Sequence, residues 1–192
     1  LLGILSLTGM GFKFSAYILD LSGVAAQAVM SLDVLQLLDK ASITILFGLL
    51  FTALACIIMG TGLPTTPTYI ILAAIVAPAL VPLGVPQVAT HFFVFYYGVL
   101  ADVTPPVALA AFAAAGIARS EPMGTGNTAF RLSMGKALVP FAFVFTPSLL
   151  FVNFDPWAFT VALIGIVIAV IGLGAAYAGY CRRPIGRPAF VA

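Results

Sequence analysis

Between Lys40 and His91 the chain carries no Asp, Glu, Lys or Arg. So long an uncharged run restricts the chain to a setting that removes it from water, and a lipid bilayer is the common one. In the middle of the run stands Gly60-Thr61-Gly62-Leu63-Pro64-Thr65-Thr66-Pro67, two glycines, two prolines and three hydroxyls. Hydrocarbon offers no partner to free backbone groups, so helix breakers at membrane depth persist only where protein surrounds them or a cavity is lined.

Composition agrees with the bilayer reading. The chain is 62% hydrophobic and 7% charged, with a mean hydropathy of +1.19. That leaves too few polar residues to clothe a soluble domain. The apolar runs are continuous, whereas a transmembrane β-barrel reads as alternating segments of about ten residues. The expected class is an all-α polytopic membrane protein. The net charge of +2 comes from loops and the C-terminal tail, and no basic stripe interleaved with aromatics marks a nucleic-acid face. Cys56 and Cys181 match no metal or redox spacing. No cofactor and no metal other than a coupling ion is expected.

Along the chain, an apolar start at 1–12 leads into a segment with Lys13 and Asp20 that is expected to end near Ser22-Gly23. The mixed stretch 24–42, with Asp33, Asp39 and Lys40, reads as an interfacial loop or short helix. Apolar 43–59 and 66–82 flank the Gly/Pro motif, and Pro82, Gly84 and Pro86 mark a turn. Apolar 87–118 is interrupted at 101–106 by Ala-Asp-Val-Thr-Pro-Pro. A polar connection at 119–136 precedes spans at 137–152 and 157–180, with Asn153-Phe154-Asp155-Pro156 between them. The sequence opens Leu-Leu-Gly with no basic n-region, so no signal peptide is expected and the sequence is read as a piece of a longer chain.

Short basic loops stay cytoplasmic. The connection carrying Arg119, Arg131 and Lys136, and the tail carrying Arg182, Arg183 and Arg187, are therefore expected inside. This puts 83–86 and 24–42 outside, so 43–82 begins and ends on the outer face. It either crosses twice or dips in and returns. A cytoplasmic turn would usually carry Lys or Arg, and its neutral tip favours a re-entrant hairpin. The breakers near the middle of 87–118 give the pattern of a helix with an unwound centre.

Two interrupted segments in one polytopic chain point to a transporter binding site. Unwinding frees carbonyls at the end of one half-helix and N–H groups at the start of the next. Carbonyls and Thr hydroxyls suit a small hard cation, and N–H groups at a helix start suit a carboxylate. The candidates are Gly60, Thr61, Gly62, Pro64, Thr65, Thr66 and Thr68 at the hairpin tip, and Ala101, Asp102, Val103 and Thr104 before Pro105-Pro106. Pro105 and Pro106 are expected at the start of the second half-helix, where a missing N–H costs little.

GTGLPTTPTYIILAAIVAPAL, HFFVFYYGVLADVTPPVALAAFAAAGIA and AFRLSMGKALVPF together resemble the large permease subunit (DctM-like) of tripartite ATP-independent periplasmic, or TRAP, transporters. The nearer resemblance is to fused permeases paired with TAXI-type binding proteins, and it extends over about residues 8–151. It implies an elevator-type secondary transporter of the ion-transporter superfamily, driven by Na⁺ and fed a small organic acid by a periplasmic solute-binding protein. It also implies a small permease subunit or its fused N-terminal equivalent, and the bacterial inner membrane. Residues 1–152 would be the C-terminal half of the transport domain, with the outer hairpin at about 43–82 and the broken helix at about 87–118. Residues 153–192 would add a last helix and a basic cytoplasmic tail.

By position, the resemblance implies a Na⁺ site at Gly60, Gly62, Thr65, Thr66, Ala101 and Thr104. Thr61, Pro64, Asp102, Pro105 and Pro106 would serve substrate or gating. Thr104 matches the family's Gly-x-x-Thr before Pro-Pro, while Ala101 stands where Gly is commoner; its carbonyl remains usable if φ is negative. Asp102 is a second departure. An acid at membrane depth is costly, and three roles are open to it: Na⁺ ligand, proton carrier, or cap of the second half-helix. The inverted first half of such a permease is missing, which again implies a fragment.

The remaining residues carry plainer readings. His91 and Trp157 read as interfacial, the aromatic run 92–97 as packing or lipid contact, and Gly172 and Gly174 as a helix contact. An intramembrane enzyme would need a nucleophile with a base or paired acids. Asp102 has no partner acid in the sequence, so no catalytic residue is assigned and the chain is not read as an enzyme. A structural or assembly subunit without transport activity is the alternative.

Overall fold

The computed structural model describes residues 4, 7–30, 39–178, 180–181 and 183–184. Asp33, Arg182 and Arg187 lie outside them. Among the described residues the α-helices are α1 (Met10–Met30), α2 (Lys40–Gly60), α3 (Thr65–Ile75), α4 (Gln87–Leu100), α5 (Leu109–Ala118), α6 (Pro122–Ser133), α7 (Val139–Phe145) and α8 (Pro156–Ala178). The sole sheet there is a two-residue antiparallel pair, Tyr180–Cys181 with Arg183–Pro184. Among the described residues four helical stretches are long and apolar enough to cross a membrane: Lys40–Gly60, Thr65–Leu83, Pro122–Phe145 and Pro156–Tyr177. This is the all-α polytopic membrane class expected from the sequence. The chain divides into two compact units, Leu1–Ala101 and Asp102–Ala192.

In the first unit α1 buries a stripe of Ser15, Ile18, Ser22 and Ala26. These positions recur every three to four residues and so share one helix face. The helix does not end at Ser22-Gly23 as expected. Ser22 donates its hydroxyl to the Leu19 carbonyl at 2.8 Å, so its polar group is satisfied inside the helix and the turn continues to Met30. Helix α3 stops because Pro78 lacks an N–H, and the chain runs on as 3₁₀ turns at Ala77–Ala79 and Val81–Leu83. Tightening into 3₁₀ bonds leaves the Ile75 carbonyl without its helical donor, and Ser15 of α1 donates to it at 3.2 Å. Gly11 lies one turn earlier on α1; a Cβ there would come within 2.8 Å of the Ala74 carbonyl oxygen. Glycine and serine on one helix thus accommodate the break in another.

In the second unit α6 starts well before the span expected at 137–152. Glu121 sets the start: its carboxylate accepts from the backbone N–H of Met123 (2.8 Å) and of Gly124, with Pro122 in the first turn. The polar connection is therefore helical, and the apolar span begins inside it. Gly135 lets α8 approach closely, since a Cβ there would lie 3.0 Å from the Val170 carbonyl oxygen and 3.2 Å from the Gly174 nitrogen. Gly174 is thus at a helix contact as expected, whereas Gly172 faces open space. α8 has no buried residue among its described side chains. It follows the Asn153–Pro156 break, where Asp155 accepts from the Trp157 N–H at 3.0 Å. Trp157 is exposed.

Candidate functional site

The turn between α2 and α3 is built by its glycines. Leu63 donates to the Gly60 carbonyl at 3.4 Å, Thr61 has φ −62° and ψ 127°, and Gly62 has φ 78°. These are the angles of a type II β-turn, whose third position requires positive φ and hence glycine. The Thr61 hydroxyl donates to the Ile58 carbonyl at 2.8 Å and caps the end of α2.

Helix α3 then begins with Pro64 as N-cap and without any side-chain cap. A helix start leaves four N–H groups without a helical acceptor. Pro64 and Pro67 have none, so only Thr65 and Thr66 contribute. Thr68, the next residue, bonds normally to the Pro64 carbonyl at 3.1 Å, and its hydroxyl donates to Leu63 O at 3.3 Å. Gly62 and residues 64–67 are exposed, whereas Gly60 and Thr68 are buried.

Gly60 is buried against the far end of α4. A Cβ on Gly60 would lie 2.9 Å from the Ala101 Cβ, 3.1 Å from the Gly98 carbonyl oxygen and 3.2 Å from Thr68 Cγ2. Gly98 is equally tight, with a Cβ there 2.9 Å from Leu72 Cδ1. The first unit therefore brings the hairpin turn onto the C-terminal end of the first half-helix. Gly98 was not singled out in the sequence; its signal is a lone small residue within the aromatic run that precedes Ala101.

The chain leaves α-helical geometry immediately beyond this contact. Ala101, Asp102 and Val103 form a 3₁₀ turn. Ala101 has φ −59° and ψ −30°, so the condition for Ala in place of Gly is met without strain. Asp102 is half-buried and Thr104 buried. The Pro105–Pro106 bond is cis.

Two expectations are corrected in this stretch. Pro105 and Pro106 do not open the second half-helix; they occupy a turn closed by the Ala108 N–H on the Thr104 carbonyl at 3.1 Å, and α5 begins at Leu109. Nor does Asp102 cap α5, whose N-cap is Ala108 with φ 35°. The residue at the N-cap position is an alanine, whose methyl offers no acceptor, and α5 starts without a side-chain cap. In the second unit this turn rests on Gly126 of α6, where a Cβ would lie 3.1 Å from Phe112 Cε1 and 3.5 Å from the Ala108 Cβ. Gly126 also went unremarked in the sequence.

His91 on α4 meets Tyr69 on α3, with the phenol oxygen 3.1 Å from Nδ1, and Tyr69 packs edge-on against Phe95. Among the described residues no cluster of three His, Cys, Asp or Glu side chains is arranged to hold a metal.

Membrane-length apolar helices, a tight hairpin turn and a helix broken beside it define a polytopic membrane protein with the parts of a secondary transporter. Residues 1–158 match the family model described as tripartite ATP-independent periplasmic transporter, DctM component, and the chain belongs to that family, the large permease of TRAP transporters. The chain is thus a component of a transporter whose family implies a periplasmic binding protein and a small membrane subunit as partners. No curated protein and no solved structure matches it.

Proposed function

We propose that this chain forms part of the ion- and substrate-handling core of a Na⁺-coupled TRAP permease that imports a small organic acid delivered by a periplasmic solute-binding protein. The carrying observation is the seating of Gly60 on Gly98 and Ala101, at the point where the chain leaves α-helical geometry. Carbonyls at the end of a half-helix carry partial negative charge, and neutral oxygens in a dehydrated setting suit a small hard cation. In this reading Gly60, Gly62, Thr65, Thr66, Ala101 and Thr104 supply the Na⁺ ligands. Thr61, Pro64, Asp102, Pro105 and Pro106 shape the substrate or gating surface.

The hairpin at about 43–82 is re-entrant from the outer side of the bacterial inner membrane, and the C-terminus is cytoplasmic. The transport portion extends to about residue 152, with residues 153–192 adding the last helix and tail. The binding protein is of TAXI type, and the small subunit is fused in the same permease. Uptake into proteoliposomes by the full permease with its binding protein tests the proposal. Transport is expected to collapse when choline replaces Na⁺, and undiminished uptake would overturn the coupling.

A further inference from the structure

The second unit carries an apolar groove of about 350 Å³. One wall is Leu138, Ala142 and Thr146, and the other is Ala162, Gly165 and Val170 of α8. Gly135 brings α8 into backbone contact at the Val170–Gly174 end. Further along, Ala142, Ala162 and Gly165 have too little side chain to close the gap, and a Cβ on Gly165 would meet nothing within 4 Å. The walls lie along the membrane-length segments Pro122–Phe145 and Pro156–Tyr177.

None of the lining residues is charged. An apolar gap at membrane depth forfeits dispersion contacts and offers water no partners, so a hydrocarbon occupant suits it. Size narrows the choice. Two turns of a helix about 10 Å across take up roughly 850 Å³, far more than the groove holds, whereas a single acyl chain is slender. Leu138 to Thr146 covers about 12 Å at the helical rise, a stretch that one extended chain can follow.

Charge supplies the headgroup and the direction. Exposed Lys136 stands next to Gly135 and two positions before Leu138, at the Val170 end of the groove. Exposed Arg131 precedes it on α6. No acidic residue occurs between Glu121 and Asp155. Asp155 belongs to the opposite end, where its N–H reaches the Ser148 hydroxyl at 3.4 Å, just past Thr146. A phosphate is therefore attracted to one end and repelled from the other. The family match ends at residue 158, so α8 makes one wall of the groove an addition to the shared domain. We infer that this groove holds an acyl chain of an anionic phospholipid, with the phosphate at Lys136.

The test uses the full permease in phosphatidylethanolamine nanodiscs doped with phosphatidylglycerol or phosphatidylethanolamine bearing the same photoactivatable acyl chain. Phosphatidylglycerol is expected to label peptides within residues 138–146 and 162–170 severalfold more strongly than phosphatidylethanolamine. Lys136→Gln should cut phosphatidylglycerol labelling by about fivefold, the effect of one basic residue beside an anionic lipid. Gly165→Leu, whose side chain enters open space, should cut labelling by both lipids; should it fail to fold, Lys136→Gln on its exposed side chain decides. Equal labelling by the two lipids, or phosphatidylglycerol labelling unchanged in either folded variant, overturns the inference. Labelling spread evenly along α8 means ordinary boundary lipid and overturns it too. Labelling absent from both segments overturns it in favour of a protein occupant.

Discussion

Gly60 and Ala101 approach so closely that a single methyl on Gly60 would sit 2.9 Å from the Ala101 side chain. The neighbouring contact, 3.1 Å to the Gly98 carbonyl, is to backbone and gives little. Gly60→Ala is therefore expected to destabilise the purified permease by about 1–3 kcal/mol, the usual cost of overpacking. The melting midpoint measures it, and Ala101→Gly added to Gly60→Ala should recover part of the loss. An unchanged midpoint in the single variant would show that the hairpin turn and α4 are not in contact.

Gly62 is held by its backbone and not by crowding. Its φ of 78° lies where an L-residue with a Cβ is disfavoured by roughly 1–2 kcal/mol. Gly62→Ala should lower stability by about that amount, and Gly62→Asn by less, because Asn tolerates the left-handed region. Equal effects from the two substitutions would count against a type II turn.

Ser15→Ala removes the donor that serves the Ile75 carbonyl. The loss is expected near 1–3 kcal/mol, since a buried acceptor is left unserved. Hydrogen exchange should quicken first around the Pro78 break. Exchange that rises only elsewhere would contradict the pairing.

Glu121→Ala strips the cap from α6. About 1 kcal/mol is the expected cost, with faster amide exchange confined to Met123, Gly124 and the turn that follows. Glu121→Asp should keep part of the protection, because a carboxylate at an N-cap is retained.

Thr104→Ala bears on the proposed ion site. Transport should need severalfold more Na⁺ for half-maximal rate while binding-protein docking stays intact, since the hydroxyl would be an ion ligand and not a docking contact. An unaltered Na⁺ dependence would remove Thr104 from the ligand set. Asp102→Asn complements it: with a capping role excluded by Ala108 at the N-cap, near-normal Na⁺-driven uptake would mean that the carboxylate is neither ion ligand nor proton carrier.

The hairpin and the interruption after Leu100 were legible because glycine and proline act through their own backbone, whatever surrounds them. Pro64 and Gly62 mark the same turn in the sequence and in the structure. Boundaries set by long-range or capping chemistry were less legible. Helix α1 continues past Ser22-Gly23 because Ser22 bonds within its own helix, and α6 starts at Pro122 because Glu121 folds back onto two amides. Hydrophobic periodicity reports neither. Ser15 looked unremarkable because its partner, the Ile75 carbonyl, is 60 residues away. Gly98 and Gly126 matter only through what other segments place beside them. The turn at Pro105-Pro106 was misplaced because proline tolerates a helix start but does not dictate one.

The two prolines at the start of α3 bear on what it would cost to cover this turn. An ordinary helix start presents four amides that must shed water whenever the surface is covered, and each exacts a dehydration cost. With Pro64 and Pro67 in place only Thr65 and Thr66 do so. Any surface that closes over this turn would therefore strip water from two amides in place of four, while Gly62 keeps the turn itself fixed.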